Sequence, residues 1–222
     1  MVEIGPGLGS LTLALVETGA DVIAIEVDRG LAAVTAEVVG ETARVVEADA
    51  MDVDWDELIG SHPGDVHVVA NLPYNIGTTL ILDILAEVPA VQTLTVLVQT
   101  EVAERLAAPP GSKIYGIPSV LTALYASAEV VATVPATVFV PRPKVQSSVV
   151  RIVRRPEPPA IAHSLISTVL RAGFGQRRKM LRQSMKSLLT EPEIVAAGID
   201  PTARPEQLDL AAWVRLANAI QS

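Results

Sequence analysis

Over roughly the first hundred residues, short apolar runs alternate with segments of helical period. Val2–Ile4, Asp21–Glu26, Ala43–Glu47, Val66–Ala70 and Thr93–Val98 read as strands. Between and after them, Ser10–Thr18, Arg29–Val39, Thr78–Ala86 and Gln99–Ala107 read as helices. This alternation predicts βα units around a parallel sheet. Pro109-Pro110-Gly111 marks a turn, and Ile117–Ser127 reads as a further helix. Glu129–Val134 and Ser147–Val153 read as two more strands, separated by a proline-rich loop from Pro135 to Pro143. Pro156-Glu157-Pro158-Pro159 is a linker, and beyond it the pattern is helical throughout. The expected architecture is α/β: a mostly parallel seven-stranded sheet over residues 1–155, then a small all-helical domain over 160–222.

Half of the 222 residues are apolar and 19% are charged, which suits a folded core and not a disordered chain. Cysteine is absent, so disulfides, thiolate metal sites and a cysteine nucleophile are excluded. The three histidines, His62, His67 and His163, are scattered, and no metal centre is expected. No apolar run reaches the length of a membrane span, and the chain opens on Met1-Val2-Glu3 without a signal-peptide pattern. The expectation is a cytoplasmic protein with no membrane partner, and nothing suggests more than a monomer.

Charge changes this picture. The formal net charge is −8, yet Arg142 to Lys186 holds eleven basic residues against the single acid Glu157. A basic stretch on an acidic body is the asymmetry of a localised polyanion surface. Taken alone it also reads as solvated helix faces.

The first strand ends in Glu3-Ile4-Gly5-Pro6-Gly7-Leu8-Gly9-Ser10. Glycines there allow a tight bend and close approach of a ligand to backbone near a helix N-terminus. The spacing is G-x-G-x-G, without the third glycine of the dinucleotide fingerprint. Glu26 ends the second strand, where a carboxylate can accept both hydroxyls of a ribose. Asp49 follows the third strand, where it can accept from an adenine amino group. Singly, each reads equally well as a turn or a solvated loop residue. Together, at successive strand ends, they resemble the S-adenosylmethionine pocket of class I methyltransferases.

Asn71-Leu72-Pro73-Tyr74 follows the fourth strand. An exocyclic amine of a nucleobase is a poor nucleophile, because its lone pair is delocalised into the ring. It must be held and aimed. The Asn71 side-chain oxygen and the Leu72 carbonyl, stiffened by Pro73, can accept its two N–H groups, and Tyr74 can stack on the base. Such a stack contributes about 1–3 kcal/mol per base in single-strand recognition, and alignment can supply roughly 7–11 kcal/mol of a barrier. Phe139, one of seven aromatics, lies in a proline-stiffened loop with Arg142 and Lys144. It reads as a second clamp on a flipped base, with the two cations towards phosphate; alone, it reads as well as a core residue at a strand edge.

With these motifs in place, the sequence resembles the ribosomal RNA adenine N6,N6-dimethyltransferases, which dimethylate two adjacent adenosines near the 3′ end of small-subunit (16S) rRNA. Val2–Gly9, Ile25–Asp28, Glu47–Ala50, Asn71–Ile76 and Phe139–Val145 carry the resemblance. So do Val98-Gln99 with Glu101–Leu106, Gly111–Lys113 with Tyr115-Gly116, Phe174–Arg182, and Gly198–Pro201 with Arg204–Leu208. It implies a class I, Rossmann-like methyltransferase with a helical C-terminal domain that docks on rRNA. It implies an S-adenosylmethionine site at Glu3, Gly5, Gly7, Gly9, Glu26, Val27, Asp49, Ala50 and Asn71. The catalytic positions are Asn71, Leu72, Pro73, Tyr74 and Phe139, and RNA is met by Arg142, Lys144, Arg177, Arg178, Lys179 and Arg182. The partner is small-subunit rRNA or a pre-30S subunit. Arg142 and Gln146 stand where the family often has proline and aspartate. The family also carries a segment before the first strand, with a Gln-Asn-Phe-like motif at the methionine end of the cofactor site. The resemblance implies that the sequence lacks this segment. A second reading is an RNA-binding assembly factor of the same ancestry, impaired in cofactor binding. Methylation of DNA or of a small molecule is a third; the basic stretch argues against a small molecule, and the resemblance favours RNA over DNA.

Overall fold

In a computed structural model, which describes residues 1–60 and 64–220, the apolar runs of the first hundred residues form five parallel strands. They are β1 (Val2–Ile4), β2 (Ile23–Glu26), β3 (Arg44–Glu47), β4 (Val66–Asn71) and β5 (Val91–Gln99). With β6 (Ala126–Val134) and β7 (Ser147–Arg154) they make a seven-stranded sheet in the order β3-β2-β1-β4-β5-β7-β6, with β7 antiparallel to β5. Helices α1 (Ser10–Val16), α2 (Arg29–Val39), α3 (Trp55–Ile59), α4 (Gly77–Glu87) and α5 (Thr100–Leu106) connect the parallel strands or follow them. The central strands are largely buried: Val2, Ile4, Ala24, Ile25, Val68 and Ala70 are, and so is Glu3 on the opposite face of β1 from Val2 and Ile4. That is the signature of a parallel sheet. Asp28 ends the β2–α2 turn and caps α2, its carboxylate accepting the Leu31 N–H at 2.9 Å.

The remaining helices are α6 (Ile117–Tyr125), α7 (His163–Gly175), α8 (Leu181–Ser184), α9 (Glu191–Ala196) and α10 (Leu210–Ala219). The chain divides into two units, Met1–Ala103 with Ala128–Arg154, and Glu104–Ser127 with residues from Arg155 onward. The second unit therefore takes in 104–127, which lies N-terminal to the linker read at 156–159. α6 explains the difference. Val120, Leu121 and Leu124 are buried in it, and its helical neighbours are α7 and α10, far away in sequence. The core of this unit is the fully buried Trp213, which stacks on Phe174 at 5.3 Å, with Tyr115 edge-on to Phe174 at 6.0 Å. The Tyr115 hydroxyl donates to the Leu208 carbonyl at 2.8 Å, and burial pushes its pKa up to about 12.

Two of the differences from expectation have local reasons. The helix expected over Ile117–Ser127 stops at Tyr125, because Ala126 and Ser127 already belong to β6. The short α3 was not expected: its only buried residue is Leu58, too little for a readable period.

Arg154, one of the basic stretch, serves the fold. Its guanidinium donates to the carbonyls of Ile84, Leu85 and Val88 at the end of α4, and to Val91, at 2.7–3.2 Å. It satisfies helix-end carbonyls with a positive charge placed against the negative end of the helix dipole. Arg154→Ala is expected to cost about 3 kcal/mol, since charged hydrogen bonds are lost and carbonyls are left unpaired. Chemical denaturation of the purified variant checks this.

Candidate active site at the carboxyl edge of the sheet

β1 and β4 are neighbours where the strand order reverses, Ile4 opposite Ala70. Ligands of doubly wound sheets bind outside the strand ends at that point. The turn leaving β1 has Gly5, Gly7 and Gly9 at φ of 69°, 58° and 82°, values that side chains with a Cβ resist. Gly7 is held from both sides. Its N–H donates to Glu26 Oε2 at 3.2 Å, and its carbonyl accepts from Thr35 Oγ1 at 2.7 Å. A Cβ on Gly9 would stand 3.3 Å from Val38 Cγ1, so α2 packs directly against the turn. Thr35 and Val38 carried no sequence signal beyond the helical period. Glu26 is buried, and its Oε1 accepts the Asp28 N–H at 3.0 Å. The residue read as a ribose acceptor thus also builds the turn. Each of its oxygens keeps a second lone pair for a ligand.

Gly5, Glu26, Val27, Asp49, Ala50 and Pro73 line one cavity. Asp49 is exposed, with Oδ1 accepting the Met51 N–H at 2.9 Å. Glu3 lies beneath the turn, 1% exposed, and its Oε2 has no hydrogen-bond partner. Burial pushes its carboxyl above the ordinary carboxylate range; Thr12 beside it partly offsets this, although the Thr12 hydroxyl makes no hydrogen bond either. A raised folded-state value means the charged form opposes folding. The cost is absent at low pH and grows as pH rises through the ordinary carboxylate range towards the raised value. Glu3→Gln is therefore expected to stabilise the ligand-free protein by about 1 kcal/mol at neutral pH. Thermal unfolding across pH checks this: the advantage should shrink as pH falls.

The turn leaving β4 forms the second cavity, about 260 Å³, lined by Asn71, Leu72, Pro73, Tyr74, Phe139, Pro141 and Pro143. The strand pairing carries Asn71 to the edge: it ends the ladder opposite Leu97, and Leu72 N–H donates to the Leu97 carbonyl at 3.0 Å. Asn71 and Pro73 are exposed, while Leu72 is buried as the anchor of the turn. Tyr74 is 36% exposed and its hydroxyl lies 2.8 Å from Ser147 Oγ. Phe139, a full sixty residues further on, is half-buried in the same cavity. It faces the site with Tyr74 and is not simply a strand-edge core residue. The Val140–Pro141 peptide bond is cis. Pro141, Pro143 and Ser147 are contributors that the sequence reading did not assign.

The family model for ribosomal RNA adenine dimethylase matches residues 1–222. The chain belongs to that family. It is 46% identical over 238 residues to the ribosomal RNA small subunit methyltransferase A of Cutibacterium acnes, covering 99% of this chain and 78% of that one. The protein of the same name from Xanthobacter autotrophicus is 47% identical over 227 residues, with 98% and 78% covered. Among solved structures, a dimethyladenosine transferase from Plasmodium falciparum shares the fold, with a TM-score of 0.79 at 23% identity over 97% of this chain and 87% of that one. The 23S rRNA methyltransferase ErmE has a TM-score of 0.72 at 25% identity, covering 100% and 90%. The fold is thus Rossmann-like, as in these methyltransferases, with a mostly parallel sheet.

The basic residues of this dimethylase fall into different situations. Arg142 and Lys144 are exposed on the loop that carries Phe139. Arg178 and Lys179 are exposed on the loop after α7, where Phe174 to Lys179 line a cavity of about 290 Å³. Arg177, in contrast, is half-buried and committed within its own unit: Nη2 donates to the Ser112 and Lys113 carbonyls, and Nε lies 3.8 Å from Glu206. Arg182 pairs with Glu191 at 3.6 Å on the surface, a contact of little energy. Among the described residues, no group of three or more His, Asp or Glu is placed to hold a metal, and no helix is long and apolar enough to cross a membrane. His62 lies outside the described residues.

Proposed function

We propose that this protein transfers methyl groups from S-adenosylmethionine to N6 of two adjacent adenosines near the 3′ end of small-subunit rRNA, acting as a cytoplasmic monomer on the rRNA or a pre-30S subunit. One observation carries the reading: Asn71, Leu72, Pro73, Tyr74 and Phe139 share a cavity at the strand-order reversal, beside the glycine turn of β1. The residues present fit the cofactor. Glu3 offers a buried carboxylate oxygen without a partner, matched to an ammonium group. Glu26 and Asp49 keep acceptor capacity for a ribose and an adenine amine, and Val27 and Ala50 give apolar walls. Gly5, Gly7 and Gly9 let backbone approach closely. When bound, S-adenosylmethionine supplies an electrophilic methyl group on a sulfonium.

The protein's own part is placement. Asn71 Oδ1 and the Leu72 carbonyl accept the two N6–H bonds and turn the amine's lone pair outward, while Tyr74 and Phe139 hold the base faces. No strong general base is required, because the amine becomes acidic only once alkylated and then releases its proton to water. Arg142, Lys144, Arg178, Lys179 and the exposed Arg182 meet phosphate. Arg177 contributes mainly by holding the loop at 112–113.

Label from methyl-labelled S-adenosylmethionine, offered with undermethylated small subunits, duplex DNA or free adenosine, tests the substrate class. Transfer to the subunits alone is expected; preference for DNA or adenosine overturns the reading. Arg178→Ala with Lys179→Ala is expected to weaken RNA binding and lower the slope of log affinity against log salt by about 1–2, as each lost phosphate contact removes roughly 0.7–0.9. Filter binding over a salt series measures it.

A further inference from the structure

β7 opens with two consecutive serines, Ser147 and Ser148, both fully buried. A hydroxyl buried in a strand costs free energy unless it is hydrogen-bonded, and successive strand residues point to opposite faces. Each serine has one partner, and the partners differ. Ser148 Oγ lies 2.9 Å from Thr100 Oγ1, and the Thr100 N–H donates to the Gln146 carbonyl at 3.0 Å, which pins the strand entry to the start of α5. Ser147, opposite Gln99 in the ladder, reaches out of the sheet to the Tyr74 hydroxyl at 2.8 Å.

That bond spans the cavity's two walls. Tyr74 belongs to the turn after β4, and Ser147 ends the loop that carries Phe139, Pro141 and Pro143. Building on the function proposed above, we infer that Ser147 is a positioning residue for methyl transfer: it braces Tyr74 against β7, so that the aromatic ring and Phe139 keep the spacing of a base. Tyr74 is 36% exposed, and a bond to its hydroxyl, at the far end of the ring axis, restrains the swing of the whole ring about its first dihedral; reacting groups need placement to well under 1 Å. The brace acts on the geometry of the bound complex, not on whether RNA or cofactor binds.

Ser147→Ala and Tyr74→Phe remove the same bond from opposite ends, and steady-state kinetics on undermethylated small subunits reads the result. Tyr74→Phe keeps the ring and lies at the surface, so it serves even where Ser147→Ala perturbs folding. Each variant is expected to lower kcat about tenfold, the size of one neutral hydrogen bond, and to leave KM for the subunit and for S-adenosylmethionine within about twofold. The double variant should also lose about tenfold, because one bond is removed once. Unchanged kcat in Tyr74→Phe, a loss that falls on KM, or a hundredfold drop in the double variant overturns the inference. A wild-type protein that methylates no adenine would overturn the function itself, which is a separate outcome.

Discussion

Asn71→Ala is expected to reduce methyl transfer by about a thousandfold or more while RNA binding stays within twofold. The side chain ends β4 at the reversal of strand order and is exposed to the cavity it shares with Tyr74 and Phe139. In the function proposed above, removing it takes away a fixed acceptor for one N6–H. The amine lone pair then returns to conjugation with the ring, and alignment that supplies roughly 7–11 kcal/mol is compromised. Loss of a single preorganised polar partner typically costs 100- to 1,000-fold. Here the same group also orients the nucleophile, so the upper end is expected. The fold should be unaffected, since an exposed strand-end residue is replaced by a smaller one. Single-turnover transfer to undermethylated subunits, beside a binding titration, separates the two effects. Near-wild-type turnover would remove Asn71 from the chemistry.

The second large effect is on stability. Gly173→Ala is expected to destabilise the helical unit by about 3 kcal/mol or more. A Cβ at this position would stand 2.5 Å from Trp213 Cη2 and 3.0 Å from Cζ3. Trp213 is fully buried and stacked on Phe174, so the ring has no free space to yield into. Overpacking typically costs 1–3 kcal/mol, and a rigid indole lies at the severe end. The glycine lies in the last turn of α7 without a positive φ, where its replacement by alanine ordinarily gains up to about 1 kcal/mol; the sign reversal is the diagnostic. Calorimetry should show a melting point about 6–12 °C lower. A stabilised variant would mean that Trp213 repacks freely.

Much of this architecture was legible in the chain. β1, β2 and β4 are short runs dominated by apolar residues, most of them buried, and the turn residues between them name their own conformations. Gly5, Glu26, Asp49 and Asn71 could be placed together because strand ends of a parallel sheet share an edge. What escaped depends on contacts distant in sequence. Phe139 declared its side only once β7 lay beside β5. Arg154 reads as one more surface cation until α4 ends beneath it. Arg177 reads like Arg178, yet one is held by the carbonyls at 112–113 and the other faces solvent. The allegiance of α6 to α7 and α10 is likewise a tertiary choice that its own apolar pattern does not encode.

The most direct test of the central claim is where the methyl groups land. Undermethylated small subunits would be incubated with the protein and methyl-labelled S-adenosylmethionine, and the rRNA digested to nucleosides and mapped. The account predicts N6,N6-dimethyladenosine at two adjacent positions near the 3′ end, and none with Asn71→Ala. Label on another base, on a ring nitrogen, or undiminished in Asn71→Ala would contradict it.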